Sequence, residues 1–329
     1  MSDLPGYADI LEARERIAGA AVRTPLIRSP QLSEMTGGTV YLKPECLQRT
    51  GSFKFRGARN AVQALGDDAR AGVVACSSGN HAQGVAEAAR LAGISSVIVM
   101  PSDAPVLKRE RTAAFGARVV LYDRETEDRE AIAADIIAEE GGHFIHPYNN
   151  RHVIAGQGTI GLEVADDLEA AGVVPDVVMA PASGGGLAAG VTLALRERFP
   201  EIASYVVEPE GFDDYGRSLR AGEAVRNERL SGSICDALLA SKPGVLTFAL
   251  NRDRMAGGLA VSDAEALHAV GFASETMRLV LEPGGAVCLA AVLAGRLDLR
   301  EKTAVIVLSG GNIDDEMLMD AVKAYRRSA

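Results

Sequence analysis

Lys54 stands between two phenylalanines in the run Gly51-Ser52-Phe53-Lys54-Phe55-Arg56-Gly57. An ammonium in so apolar a setting loses hydration, which lowers its pKa and favours the neutral amine that attacks aldehydes. Taken alone, these seven residues are better read as a surface lysine near a helix start. Three other stretches change that reading: Ser77-Ser78-Gly79-Asn80-His81, Ser183-Gly184-Gly185-Gly186-Leu187 and Ser309-Gly310-Gly311-Asn312. Each stands where a β-branched run gives way to a helical one, and there free N–H groups and helix N-termini converge and favour anions. The triple glycine fits either a close backbone approach to a phosphate or a tight left-handed turn.

No full G-x-G-x-x-G fingerprint falls in a strand-loop-helix context, and no Walker A loop is present. Gly184 to Ala189 fits only the weaker alanine-ended form, with Glu208 near where a ribose-binding acid could stand, so dinucleotide use is demoted. A lysine in an aromatic setting, a glycine-rich anion loop and a Ser/Asn loop together describe a ligand with a phosphate and an aldehyde, joined by a carboxylate-bearing substrate. Pyridoxal 5'-phosphate (PLP) on Lys54 fits all three.

The elements that must hold these loops alternate regularly. An amphipathic helix is expected over 7–20, a strand over 39–43 and a helix over 55–65. Strands follow at 73–76, 97–100, 118–122 and 144–146, with helices through 92, over about 105–115 and over 129–140. The pattern resumes with a helix over 155–168, a strand at 177–180, a helix over 187–199 and a strand at 205–207. Residues 211–254 are less regular. Ser262 and Glu265 form a capping box for a helix through Met277, and a strand at 304–308 precedes the last loop and a terminal helix. This is the grammar of parallel βαβ units, hence an α/β fold.

With 329 residues, two domains of about 150 each are the prior. A net charge of -10 argues against nucleic acid or a membrane surface as partner, and no uncharged apolar run reaches ~18 residues. Cys46, Cys76, Cys235 and Cys288 lie far apart without zinc spacing, and the N-terminal residues lack a leader pattern, so reduced thiols in a cytoplasmic protein are expected.

With these motifs in this order, the chain resembles the PLP enzymes of fold type II, the family of tryptophan synthase β-subunit, threonine and serine dehydratases and serine racemase, from about Ile17 to Asp314. The resemblance implies two three-layer αβα domains with the cofactor in the cleft: a large domain of residues 1–71 and 149–329, and a small inserted domain of 72–148. It implies a homodimer. It makes Lys54 the Schiff-base lysine, with Phe53 packing on the cofactor ring. Ser77, Ser78, Gly79, Asn80 and His81 would hold the substrate carboxylate, Asn80 also reaching the cofactor's phenolic oxygen. Ser183, Gly184, Gly185, Gly186 and Leu187 would cup the phosphate, Ser309 would face the pyridine nitrogen, and Glu282 would lie near the ring. His143, His146 and His268 are read as structural.

The implied reaction is loss of water and ammonia from a 3-hydroxy amino acid, giving a 2-oxo acid; L-threonine, L-serine and 3-hydroxyaspartate are the candidates. A serine at the pyridine nitrogen cannot protonate it as an aspartate would, which favours expulsion of a β-leaving group. Ser78 keeps a racemase open, because serine-racemase-like members place a serine there to reprotonate the carbanion; the other reading is a carboxylate binder or turn former. A noncatalytic amino-acid-binding regulator is the remote alternative, opposed by the joint presence of Lys54, Asn80 and Ser309. By the same resemblance Glu208, the Phe212 carbonyl and Asp214 would bind Mg²⁺ or Ca²⁺, against the plainer reading of a solvated acidic turn. Asn149-Asn150-Arg151-His152, where relatives often carry acids, could suit a second substrate carboxylate or form a solvated turn. Cys235-Asp236-Ala237 replaces an Asp-Gly and could alter the pocket floor.

Overall fold

The computed structural model describes residues 4–104, 106–123 and 125–328; the start expected at Pro105 lies outside them. The chain begins with α1 (Tyr7–Ile17), β1 (Ile27–Ser29), α2 (Pro30–Thr36), β2 (Thr39–Pro44) and α3 (Lys54–Ala64). Next come β3 (Val73–Cys76), α4 (Asn80–Ala92), β4 (Ser96–Pro101), α5 (Val106–Ala114), β5 (Arg118–Tyr122), α6 (Arg129–Glu140) and β6 (His143–Phe144). They are followed by α7 (Arg151–Ala170), β7 (Val177–Pro181), α8 (Gly186–Arg198), β8 (Ala203–Pro209), α9 (Asp214–Ala221) and α10 (Val245–Asn251). β9 (Met255–Val261), α11 (Asp263–Phe272), α12 (Pro283–Leu293), β10 (Thr303–Leu308) and α13 (Asp315–Ser328) complete it.

The strands form two sheets, ordered β1-β2-β10-β7-β8-β9 and β5-β4-β3-β6. Among the pairings of these strands within the described residues, β1–β2 is antiparallel and the rest are parallel. Both faces of each sheet are covered. In β10, Ala304, Ile306 and Leu308 join the core under α11 and α12, while Val305 and Val307 point to the opposite core with α8. In the smaller sheet Val73 and Ala75 pack on α3 and α4, and Val74 and Cys76 on the α6 side. This period-2 division, with apolar residues on both faces, is that of a parallel sheet buried between helices. The arrangement is α/β with two αβα sandwiches, as expected.

Several boundaries differ from the expectation. α7 begins at Arg151 because Asn150 Oδ1 caps it, accepting from the N–H groups of His152 and Val153. The capping box of Ser262 and Glu265 forms, but α geometry stops at Phe272 and residues 273–277 make a π turn ending at Arg278, φ +58°. The irregular stretch contains α9 and α10. Among the described residues no helix is long and apolar enough to cross a membrane.

Candidate active site

Four loops meet at the C-terminal ends of parallel strands, where open α/β sheets place their ligands. The lysine loop is pinned to the loop after β10: Ser52 bridges Gly310, and the Phe53 N–H donates to the Ser309 carbonyl at 3.0 Å. Lys54 opens α3, and its Nζ donates to the Pro147 carbonyl at 3.1 Å while lying 5.1 Å from the Phe53 ring centre. Burial lowers this amine from 10.5 to about 8, opposed by the charge of Glu282. A neutral amine is therefore accessible near physiological pH.

Behind Lys54, Arg56 is wholly buried and donates to Glu45 and Glu163, with Thr159 and the Val22 carbonyl as further acceptors. Lys43 adds an ammonium to Glu163 at 2.6 Å and to the Thr24 carbonyl. Two cations and two carboxylates thus neutralise one another beneath the first turn of α3.

The Ser77 to His81 loop leads from β3 into α4. Ser77 Oγ accepts from the Gly79 N–H at 3.2 Å, and α4 opens without a side-chain cap. Its first N–H groups, beyond reach of helical carbonyls, suit a carboxylate. Ser78 is half-buried in this turn. Asn80 Nδ2 donates to Glu282 Oε1 at 2.6 Å, and Asn80 Oδ1 accepts from Asn312 Nδ2 at 2.7 Å. Burial, then the charge of Asp236, pushes Glu282 up to about 7, while Asn80, Lys108 and Lys54 oppose it. His81 turns away from the loop: Nε2 meets the Ile145 carbonyl at 2.8 Å, and burial lowers its pKa to about 3. It is neutral and holds the loop against the smaller sheet.

The Ser183 to Leu187 loop joins β7 to α8. Ser183 Oγ accepts from the Ala240 N–H at 3.0 Å; the Gly184 carbonyl accepts from the Gly244 N–H and from Thr247 Oγ1. Gly185 sits at φ +87° with the Tyr215 ring against it, a position closed to any side chain. α8 starts here without a side-chain cap, presenting the N–H groups of Gly186 and Leu187.

Pyridoxal phosphate fits these residues: an uncapped helix start for a phosphate, a half-buried amine with lowered pKa for an aldehyde, and a second uncapped helix start for a carboxylate. From the sequence, Tyr148, Arg129 and Asn312 carry no individual role, Asn312 standing only as the end of its loop, and His146 is taken as structural. His146 Nδ1 accepts from the N–H groups of Tyr148 and Asn149, and burial followed by the charge of Lys54 lowers it to about 4. The Tyr148 ring stacks edge-on against His146 at 4.6 Å and covers Gly184. Their aromatic spacing, separated by Pro147 alone, was the available signal. His143 and His268 lie apart, on the Asp68 carbonyl and the Tyr325 ring.

Glu208 and Asp214 lie in a second cluster behind the phosphate loop, linked to it by Tyr215. Glu208 accepts from the Tyr215 and Gly216 N–H groups at 3.0 and 2.8 Å, and Asp214 Oδ1 accepts from Asn227 at 2.6 Å. Both carboxylates are buried, as is Phe212, so a solvated acidic turn is excluded. Burial raises Asp214 to about 7 and Glu208 well above its ordinary value, each worsened by neighbouring acids. Asp214 Oδ2 is buried without a partner. Among the described residues no cluster of three or more His, Cys, Asp and Glu side chains suited to a metal occurs.

The Asn149 to His152 stretch is spent on structure. Asn149 accepts from the Leu246 N–H, Asn150 caps α7 and Arg151 pairs with Asp9 at 2.7 Å. It is neither a solvated turn nor a free carboxylate site. Asp236 pairs with Lys108 of α5, joining the floor of the site to the smaller-sheet unit.

A family model described as pyridoxal-phosphate dependent enzyme matches residues 17–310. The chain is 44% identical to an L-threonine ammonia-lyase of Thermotoga maritima, over 94% of this chain and 76% of that one. It is 42% identical to an L-threo-3-hydroxyaspartate ammonia-lyase of Saccharomyces cerevisiae, over 94% of both. Its fold is similar to that of maize serine racemase, with a TM-score of 0.90 and 36% identity over 99% of each chain. The chain belongs to the pyridoxal-phosphate dependent enzyme family.

Proposed function

We propose that this protein is a PLP-dependent dehydratase, an ammonia-lyase that converts a 3-hydroxy amino acid into a 2-oxo acid and ammonia. The observation that carries it is the half-buried, low-pKa Lys54 amine, with an uncapped helix start at each of two neighbouring loops. Bound in the cleft, the cofactor would supply an aldehyde for the substrate amine and a ring that withdraws electrons from the α-carbon. Lys54 would hold it, the Ser183 to Leu187 loop its phosphate, and Phe53, Asn80, Glu282 and Ser309 its ring.

The first turn of α4 orients the substrate carboxylate. Lys54, its pKa lowered to about 8, would be the base that takes the α-proton. Ser309, a neutral hydroxyl, offers no proton acid enough to charge the ring. The pair left by the α-proton forms the Cα–Cβ double bond, and the Cβ–O pair leaves with the β-hydroxyl, which the proton held by Lys54 completes as water. One water then hydrolyses the released enamine, as its imine, to the 2-oxo acid and ammonia. Ser78 supports a second reading, a racemase, in which its hydroxyl returns the α-proton; relatives named serine racemase at 38–39% identity keep this reading in play.

For substrate choice, Arg129 at the start of α6 is the cation to test. Its charge adds to the lowering of His146 by burial and Lys54, and opposes the burial that raises Tyr148, so its field reaches the cleft. Arg151 is spent on Asp9, so a second carboxylate, as in 3-hydroxyaspartate, is to be tested against Arg129. We further propose residues 72–148 as a small domain inserted into the larger one, a homodimer, and a divalent cation held by Glu208, Asp214 and the Phe212 carbonyl. The partnerless Asp214 oxygen and the mutual repulsion of two buried acids support the cation.

The test is product analysis with threonine, serine and both 3-hydroxyaspartate diastereomers, with and without chelator. A 2-oxo acid with stoichiometric ammonia is expected. Inverted chirality with solvent deuterium and no ammonia would replace the dehydratase by the racemase.

A further inference from the structure

Asn312 ends the loop after β10, and its carboxamide is spent on two other loops. Its Nδ2 donates to the Thr50 carbonyl at 2.9 Å and to Asn80 Oδ1 at 2.7 Å, which uses both amide hydrogens. Its Oδ1 lies over Gly51, where a Cβ would approach to 2.5 Å, and Gly51 has φ +74°. Asn312 therefore ties the lysine loop to the first residue of α4. Asn80 completes the chain of amides by donating to Glu282 Oε1. Its oxygen rests on a donor, one amide hydrogen rests on an acceptor, and one N–H remains.

A carboxamide turned through half a revolution has nearly the same shape but offers an oxygen in place of that N–H. In the turned state two amide nitrogens would face each other at Asn312, and two oxygens at Glu282. Glu282 alone cannot prevent this. As a carboxylate it accepts from the Asn80 nitrogen; as a carboxylic acid it can donate to the Asn80 oxygen. Burial and the charge of Asp236 hold it near 7, opposed by Asn80, Lys108 and Lys54, so both forms are present around neutrality. Asn312 has no titrating group and donates at every pH.

We propose that Asn312 is a positioning residue that fixes the orientation of the Asn80 carboxamide, so that Asn80 offers the bound cofactor an N–H donor whatever the protonation state of Glu282. This rests on the reading of Asn80 as the partner of the cofactor's phenolic oxygen.

The test titrates PLP-loaded enzyme by visible absorbance and cofactor fluorescence from about pH 6 to about pH 8.5, a window spanning the Glu282 transition. Kinetics are run in parallel. The proteins are the wild type, Asn312→Ala, Asn312→Asp, Asn80→Ala and the double Asn80→Ala/Asn312→Ala. The wild-type spectrum is expected to stay constant through the window. Asn312→Ala should acquire a pH-dependent spectrum, with kcat about tenfold below wild type at the acid end and recovering toward the alkaline end. Asn312→Asp, whose carboxylate accepts from the Asn80 amide, should show the acid-end spectrum across the range. In the Asn80→Ala background, removing Asn312 should change nothing further.

If the Asn80→Ala spectrum and kinetics match wild type, the reading of Asn80 fails and the proposal with it. If Asn80→Ala is impaired while the Asn312 variants follow wild type at every pH, or if the two losses simply multiply, the proposal fails and the role of Asn80 stands.

Discussion

Lys43 is buried and Lys54 half-buried, and Lys54 is the one left chemically available. Lys43 is held by Glu163 and the Thr24 carbonyl, inside a set of four charges. Lys54 has a carbonyl, an aromatic face and the field of Glu282. The two site groups leave opposite marks on the cofactor-free protein. The folded-state pKa of Lys54 is depressed, so its stability contribution is lost as pH falls through about 8 and regained toward the ordinary 10.5. Lys54→Met should flatten that rise in melting temperature. The folded-state pKa of Glu282 is raised, so its contribution is lost as pH climbs from the ordinary 4.5 through about 7. Glu282→Gln should remove that decline. Thermal melts of the apoprotein across both windows check the two signs, and slopes unchanged by the substitutions contradict them.

At the scale of elements, each loop depends on what fixes the helix behind it. Arg56 anchors α3 by filling all its donors, and Arg56→Met would leave Glu45 and Glu163 with Lys43 as their only cation. A loss of about 3–5 kcal/mol is expected in a denaturant titration. Gly185→Ala would force a side chain into the Tyr215 ring at a left-handed residue, and PLP affinity measured by fluorescence should fall at least about tenfold. The alternating strands and helices of the parallel sheets were legible because their periodicity and small-residue turns are local. α12 was not, because a helix buried on every side carries no amphipathic stripe. β1 is three residues long, and Gly257 and Gly258 interrupt β9, so neither reads as a strand. The lysine and its anion loops could be read from residue types. The partnership of Asn312 with Asn80 could not, since 232 positions separate them.

Over the whole molecule, the two sheets are joined near the site by the Asn80 amide contacts and the Lys108–Asp236 pair. An exposed ion pair contributes little to stability, so Lys108→Ala should leave the melting temperature within a degree or two while raising KM and its salt dependence. Behind the phosphate loop, a divalent cation would relieve the raised Asp214. Without it, stability should fall as pH rises from the ordinary 3.8 to about 7, and added Mg²⁺ should abolish that slope in calorimetry. The claim on which all of this depends is that Lys54, of six lysines, carries the cofactor. Borohydride reduction of the PLP-loaded protein followed by peptide mass mapping tests it directly. The expected result is a pyridoxyl adduct on the peptide containing Lys54, absent in Lys54→Ala. An adduct confined to another lysine, or none at all, would contradict the account.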